Sequence, residues 1–137
     1  MSANSHYLDA RIKTASQPEL QLMLLDGALR FARQAAKLLG LEAQLHEADR
    51  LLDRAMDVVE ELVRSVSIAK TDASARLAEE YAFAFRQLTA ARVNQDSTAL
   101  DAAVQILSYH RETWRLACDR VKGPHFTPVA ESFSLEV

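Results

Sequence analysis

One stretch of the chain, residues 14–39, constrains the fold most, because it joins a helix-start signal to a wide apolar surface. Ser16 can accept a hydrogen bond from a free N–H of the first turn, and Glu19 can accept one from the Ser16 N–H. Pro18 stands in the first turn, where its missing N–H would have no partner within the helix. These residues predict a helix over about residues 17–39, with Gly40 as its C-terminal cap residue.

Two apolar stripes run along this predicted helix, with neighbours three, four or seven residues apart. At about 100° per residue, the two stripes lie roughly a third of a turn from each other. A helix with two apolar flanks needs cover on both, which favours a bundle. The alternative is that one stripe belongs to a groove that binds another molecule. The stripes are Leu20, Leu24, Phe31, Ala35 and Leu38, and Leu22, Leu25, Leu29, Ala32, Ala36 and Leu39.

The composition favours an all-helical, soluble protein. Hydrophobic residues make up 49% of the chain, whereas Gly and Pro occur three times each, so helix breakers are scarce. The net charge is −3 and no basic block is present, which makes nucleic acid an unexpected partner. A single cysteine excludes an internal disulfide, and neither a signal peptide nor a membrane span is evident. The sequence therefore predicts a cytoplasmic protein without membrane insertion.

The remainder of the chain carries three further helical patterns separated by short connections. Short connections place consecutive helices antiparallel, so we predict an all-α fold, an antiparallel up-down-up-down four-helix bundle. Its domain would cover residues 16–122, after an N-terminal arm (1–15) and before an irregular C-terminal tail (123–137). The predicted helices cover about 17–39, 43–67, 72–93 and 97–121, with Thr71 or Asp72 capping the third and Asp96 or Ser97 the fourth.

Residues with catalytic or metal-binding chemistry are few. No Glu stands three residues before any histidine, which excludes the Glu-x-x-His pairs of a di-iron bundle. His110 lies beside the apolar stripe of the fourth helix, so we interpret it as a partly buried, hydrogen-bonded residue and not a phosphorylated one. Cys118 lacks a paired base and is interpreted as a small core residue. The sequence predicts no enzyme, no cofactor and no metal.

Several motifs in order resemble one known family. A tyrosine and an aliphatic residue come first, followed by a Thr-Ala-Ser segment, an Asp-Gly-Ala block and an aromatic residue. After these come an aromatic-rich third helix and, in the fourth helix, an Arg-x-x-Trp pattern. The chain thereby resembles the flagellar secretion chaperones of the FliS type over about residues 7–121. The matching residues include Tyr7, Ile12, Thr14, Ala15, Ser16, Leu20, residues 22–28, Phe31, Leu77, Tyr81, Phe83, Phe85, Leu88, Ala91, Asp96, Leu100, Arg111 and Trp114.

Some positions depart from the pattern of that family. Leu25 replaces the usual aromatic residue before Asp-Gly, and Glu80 stands where leucine is common. His110 occupies a position that is usually apolar, and Arg92 replaces a common asparagine. None of these changes is expected to prevent the bundle from forming, but Leu25 and Glu80 could alter a groove surface.

The resemblance implies a cytoplasmic export chaperone that binds the disordered C-terminal segment of flagellin. Such a chaperone prevents premature polymerisation and assists delivery to the flagellar type III export apparatus, whose components would be further partners. The implied surface involves helices 2, 3 and 4 and the N-terminal arm. An alternative is a FliS-like adaptor or regulator with a non-flagellin protein partner, and the free protein could be a monomer or a homodimer. Predicted contact residues are Tyr7 and Ile12 in the arm, and Leu22, Leu25 and Leu29 as groove candidates.

Overall fold

The computed structural model describes residues 16–121, and within this range the chain forms four α-helices and no strand. The predicted arm with Tyr7 and Ile12 and the predicted tail lie outside the described residues. The helices are α1 (Gln17–Leu38), α2 (Leu45–Ser67), α3 (Asp72–Asn94) and α4 (Ser97–Val121), with a 3-10 turn at Glu42–Gln44 before α2.

The helices α1 and α3 begin at reciprocal side-chain caps. The Ser16 N–H donates to Glu19 Oε1 at 3.1 Å, and the Glu19 N–H donates to Ser16 Oγ at 3.4 Å, which confirms the predicted capping box. At α3, the Ser74 N–H donates to Thr71 Oγ1 at 3.0 Å, and the Thr71 N–H donates to Ser74 Oγ at 2.9 Å. Each pair satisfies two backbone N–H groups that have no partner within the helix.

The start of α4 and the end of α1 also follow their local sequence. Asp96 Oδ1 accepts from the Ala99 N–H at 3.1 Å, so of the two predicted caps Asp96 is the one that bonds. Gly40 has a φ of 91°, the left-handed conformation in which a side chain would be strained. The predicted C-terminal cap of α1 is therefore confirmed.

The buried surface of α1 is a single broad arc, which corrects the prediction of two separate stripes. At about 100° per residue, the buried positions span roughly 140° of the helix circumference. Leu20, Phe31 and Leu38 lie on one flank of this arc and are half-buried, and Ala36, near the C-terminal end of α1, is exposed. The buried positions are Gln21, Leu24, Leu25, Ala28, Leu29, Ala32 and Ala35.

The chain divides into two compact units, one from Met23 to Arg111 and one that joins the described residues 16–22 and 112–121. Within Met23–Arg111, segments of all four helices contact one another in a closed ring, as a four-helix bundle requires. The contacts that close the ring are Asp26 with Arg111 (2.6 Å), Arg33 with Ser108 (3.0 Å), His110 with Glu80 (2.6 Å), Arg92 with Asp53 (3.0 Å) and Arg54 over the Phe31 ring (5.8 Å).

These pairings also give the helix directions. Asp26 pairs with Arg111, whereas Arg33, further along α1, bonds Ser108, which lies earlier on α4. When residue numbers increase along one helix while those of their partners decrease along the other, the two helices are antiparallel. The predicted all-α antiparallel four-helix bundle is thus confirmed for this unit.

The core of the Met23–Arg111 unit is aliphatic, with one aromatic ring. Tyr81 is its largest fully buried side chain, at 0% exposure. Small alanines alternate with leucines along the helices, which lets the helices approach closely and keeps the packing dense. The other large side chains that are fully buried in this unit include Leu25, Leu29, Leu52, Val59, Leu62, Leu88, Leu100 and Leu107.

In the second unit, Gln21 is buried at 0% exposure and Cys118 at 6%. The interpretation of Cys118 as a buried residue is confirmed. Among residues 16–121, no helix combines the length and apolar character needed to cross a bilayer.

Candidate functional site

A groove with a volume of about 470 Å³ opens between α2 and α3 in the Met23–Arg111 unit. Each helix contributes three residues at the spacing i, i+3 and i+4, which places them on one face of that helix. We call it the α2–α3 groove, and its lining residues are Glu60, Val63, Arg64, Ala82, Phe85 and Arg86.

The lining of the α2–α3 groove divides into an apolar floor and a charged rim. Val63, Ala82 and Phe85 are half-buried and form the floor. Glu60, Arg64 and Arg86 are exposed and form the rim, with the first two on α2 and the last on α3. An apolar strip bordered by charges on both sides is the surface that an amphipathic helix covers when it binds.

The two sides of the rim differ in how their charges are compensated. On α2, Arg64 Nη2 lies 2.9 Å from Glu61 Oε1, and Arg64 Nη1 lies 3.9 Å from Glu60 Oε2. The hydrogen bond with Glu61 raises the pKa of Arg64 above its ordinary value. On α3, Arg86 forms no ion pair with any residue in the described range. The groove therefore presents an uncompensated positive charge on its α3 side.

Ion pairs at one end of α2 and α3 hold the two helices together beside the groove. Arg92 on α3 lies 3.2 Å from Asp49 and 3.0 Å from Asp53 on α2. The hydrogen bond with Asp53 raises the pKa of Arg92 above its ordinary value. The residues involved are about a third exposed or more, so each pair contributes about 1 kcal/mol at most. Their effect is mainly to keep the register of α2 against α3.

The leucines predicted as groove candidates do not line the α2–α3 groove. Leu25 and Leu29 are 0% and 1% exposed and belong to the core, while Leu22 is half-buried. Their part in client binding remains a prediction, as does that of Tyr7 and Ile12, which lie outside the described residues.

The sequence did not predict Val63, Ala82 or Phe85 as lining a groove, although Phe85 belongs to the aromatic-rich third helix of the resemblance. Val63 and Phe85 stand beside the main stripes of α2 and α3, and side chains at such flanking positions become half-buried at a helix–helix boundary. This flanking position is the one sequence signal that could have indicated the groove. The same signal also fits ordinary core packing, so it does not by itself predict a groove.

His110 is a buried, hydrogen-bonded residue, as the sequence predicted. Its Nε2 lies 2.6 Å from Glu80 Oε1, and the residue is 6% exposed. The rings of Tyr81 and Tyr109 make edge-on contacts with the imidazole at 5.2 and 5.1 Å. Two polar departures from the family pattern, Glu80 on α3 and His110 on α4, thus satisfy each other. The described residues contain no group of three or more His, Cys, Asp or Glu placed to hold a metal ion.

Two separate motifs of the resemblance also meet in the structure. Arg111 Nε donates to Asp26 Oδ1 at 2.6 Å, which joins the Asp-Gly-Ala block of α1 to the Arg-x-x-Trp pattern of α4. A charge-assisted hydrogen bond of this length orients both side chains. This contact gives a physical reason for the two motifs to occur together in one chain.

Comparison with known proteins agrees with the resemblance. The family model described as flagellar protein FliS matches residues 1–121. The flagellar secretion chaperone FliS of Bacillus subtilis (strain 168) is 26% identical over 111 residues, which is 81% of this chain and 82% of that protein. With a match over most of its length and a four-helix bundle, the chain belongs to the FliS family of flagellar proteins.

Proposed function

We propose that this chain is a cytoplasmic export chaperone for flagellin, and that the C-terminal segment of flagellin binds in the α2–α3 groove. Membership of the FliS family and similarity to the flagellar secretion chaperone of Bacillus subtilis support a role in flagellar export. The observation that carries the proposal is the apolar floor of Val63, Ala82 and Phe85 between charged rims.

The groove suits a segment that folds as it binds. Ordering such a segment costs about 2–5 kcal/mol, and association costs at least about 4 kcal/mol more. At about 25 cal/mol per Å² of apolar surface, about 240–360 Å² of burial offsets these two costs. Three half-buried side chains supply only part of this area. We therefore propose that the groove anchors one helix of the client and that the client continues over neighbouring surfaces.

Such binding would account for the chaperone role. A flagellin whose C-terminal segment is held by the chaperone cannot use that segment to contact other subunits, so polymerisation before export is prevented. Release at the export apparatus then makes the segment available again. No bond is made or broken, and the proposal needs neither a cofactor nor a catalytic residue.

The N-terminal arm has a place in this proposal. Tyr7 and Ile12 would dock reversibly on part of this protein's flagellin-binding surface and would leave that surface when flagellin binds. If the arm competes with the client, then changing both residues to alanine strengthens flagellin binding. A weaker complex would instead make the two side chains client contacts, and titration of the double variant with flagellin separates the two cases.

The proposed function predicts a stable 1:1 complex with flagellin from the same organism. The complex is measured by size-exclusion chromatography with light scattering and by titration calorimetry. Removal of the flagellin C-terminal segment is expected to abolish binding, because it removes the segment that folds into the groove. A flagellin that lacks an N-terminal segment of equal length is the matched control and should still bind.

Two results would contradict the proposal. Undiminished binding to the C-terminally truncated flagellin would show that another part of the client is recognised. Absence of any complex with intact flagellin would favour the adaptor or regulator with a different protein partner.

A further inference from the structure

We propose that Arg86 receives a carboxylate from the bound client helix and thereby determines which flank of that helix faces α3. This inference rests on the proposed function, since it concerns the segment that occupies the α2–α3 groove. The client segment that fits this site is an amphipathic helix with an acidic residue beside its apolar stripe.

The surroundings of Arg86 leave its charge available. On its own helix, the positions three and four residues away are Phe83, Thr89, Ala82 and Ala90, none of which is acidic. Within the described residues no salt bridge reaches its guanidinium from another helix either. Arg50, Arg64, Arg92, Arg111 and Arg115 are each paired with a carboxylate, whereas Arg86 is the groove-lining arginine without such a partner among the described residues.

The position of Arg86 makes this charge important once a client is bound. It lines the groove next to Phe85 and one turn from Ala82, at the edge of the apolar floor. A helix bound on that floor partly desolvates the guanidinium. Because desolvating a charge costs free energy unless the charge gains a partner, an unpaired Arg86 would weaken binding. A carboxylate avoids this loss, and it matches the planar guanidinium with two parallel hydrogen bonds.

The opposite rim does not offer the same site. Arg64 on α2 already bonds Glu61 at 2.9 Å and lies 3.9 Å from Glu60, so an acidic client residue would have to compete with both. The two rims therefore differ in charge, and an acidic flank is attracted to the α3 side alone. Because an amphipathic helix has two distinct flanks, this preference fixes the direction in which a given client sequence lies.

The test reverses the charge of Arg86 and compares the result with a matched arginine. Arg76 is an exposed arginine on the same helix that does not line the groove. Titration with intact flagellin is expected to show about tenfold weaker binding for Arg86→Glu, because an ion pair becomes a like-charge contact. Arg76→Glu, with the same change in net charge, is expected to bind within about twofold of the unchanged protein.

A rescue experiment identifies the partner residue. Acidic residues in the flagellin C-terminal segment are changed to lysine one at a time and titrated against Arg86→Glu. One of these changes is expected to restore affinity to within about threefold of the original pair, as a re-formed ion pair would. Arg86→Gln keeps a polar side chain without charge, and is expected to weaken binding about threefold.

The outcomes separate this inference from the proposed function. If the unchanged protein binds flagellin and Arg86→Glu binds equally well, the role of Arg86 is refuted and the proposed function stands. Equal losses for Arg86→Glu and Arg76→Glu, or no rescue by any client lysine, also refute it. Thermal unfolding of each variant by circular dichroism shows whether a loss of binding reflects a loss of structure. If Arg86→Glu is unfolded, the affinity of Arg86→Gln tests the role of Arg86 instead. If the unchanged protein does not bind flagellin, both proposals are overturned.

Discussion

Replacing Phe85 by alanine is expected to weaken flagellin binding by about 30-fold or more. Phe85 is the largest apolar side chain on the floor of the α2–α3 groove, and it is half-buried before any client binds. Truncation of a central aromatic residue in an interface typically costs 2 kcal/mol or more, and each 1.4 kcal/mol changes affinity by about tenfold. Titration calorimetry with intact flagellin measures the change.

The matched control for this substitution is Phe83→Ala. Phe83 lies two residues earlier on α3, is 39% exposed and does not line the groove. We expect Phe83→Ala to leave the affinity within about threefold, since a residue outside the centre of an interface contributes little. Losses of equal size at Phe83 and Phe85 would place the client on a different face of α3, and circular dichroism of both variants checks that each remains folded.

Replacing Glu80 by leucine is expected to lower the free energy of unfolding by about 1–3 kcal/mol, because it leaves a buried imidazole without its hydrogen-bond partner. His110 is only 6% exposed, so water cannot easily replace the bond that Glu80 Oε1 makes to its Nε2. For a domain of this size, about 1 kcal/mol shifts the melting temperature by roughly 2–8 °C. Urea unfolding followed by circular dichroism gives the free energy directly.

The reverse substitution and the double variant test whether the pair acts as a unit. His110→Leu should cost less than Glu80→Leu, because the Glu80 side chain is 39% exposed and can be hydrated once its partner is gone. The double variant with leucine at both positions should return to within about 1 kcal/mol of the original stability, since it removes the buried imidazole together with its hydrogen-bond partner. If the double variant instead loses the sum of the two single costs, the hydrogen bond is not what couples these positions.

Features of the fold that depend on residues close together in the sequence were predictable from the sequence. The Ser16–Glu19 capping box, the Asp96 cap and the left-handed Gly40 all follow from groups within a few residues of one another. The end of α1 at Leu38 lies one residue before the predicted end, and the turn at Glu42–Gln44 delays the start of α2 to Leu45. These differences arise at helix ends, where hydrogen bonding is divided between α and 3-10 geometry.

The groove could not be predicted in the same way, because periodicity does not distinguish a core position from a half-buried one at a helix boundary. Leu25 lies in an apolar stripe of α1 and Phe85 lies beside the apolar stripe of α3, yet Leu25 is fully buried and Phe85 lines the groove. Which of them is enclosed depends on how far the neighbouring helices stand apart. The same limit applies to the pairing of Glu80 with His110, because residues 30 positions apart meet only through the packing of α3 against α4.

Site-specific photo-cross-linking tests client binding in the α2–α3 groove most directly. Benzoylphenylalanine replaces Phe85 in one variant and Phe83 in another, so an aromatic ring is kept at each position. After irradiation with intact flagellin, mass spectrometry locates the linked residues. Binding in the groove predicts efficient cross-linking from position 85 to the flagellin C-terminal segment and little from position 83. Cross-links from position 85 to other parts of flagellin, or equal yields from both positions, would contradict it.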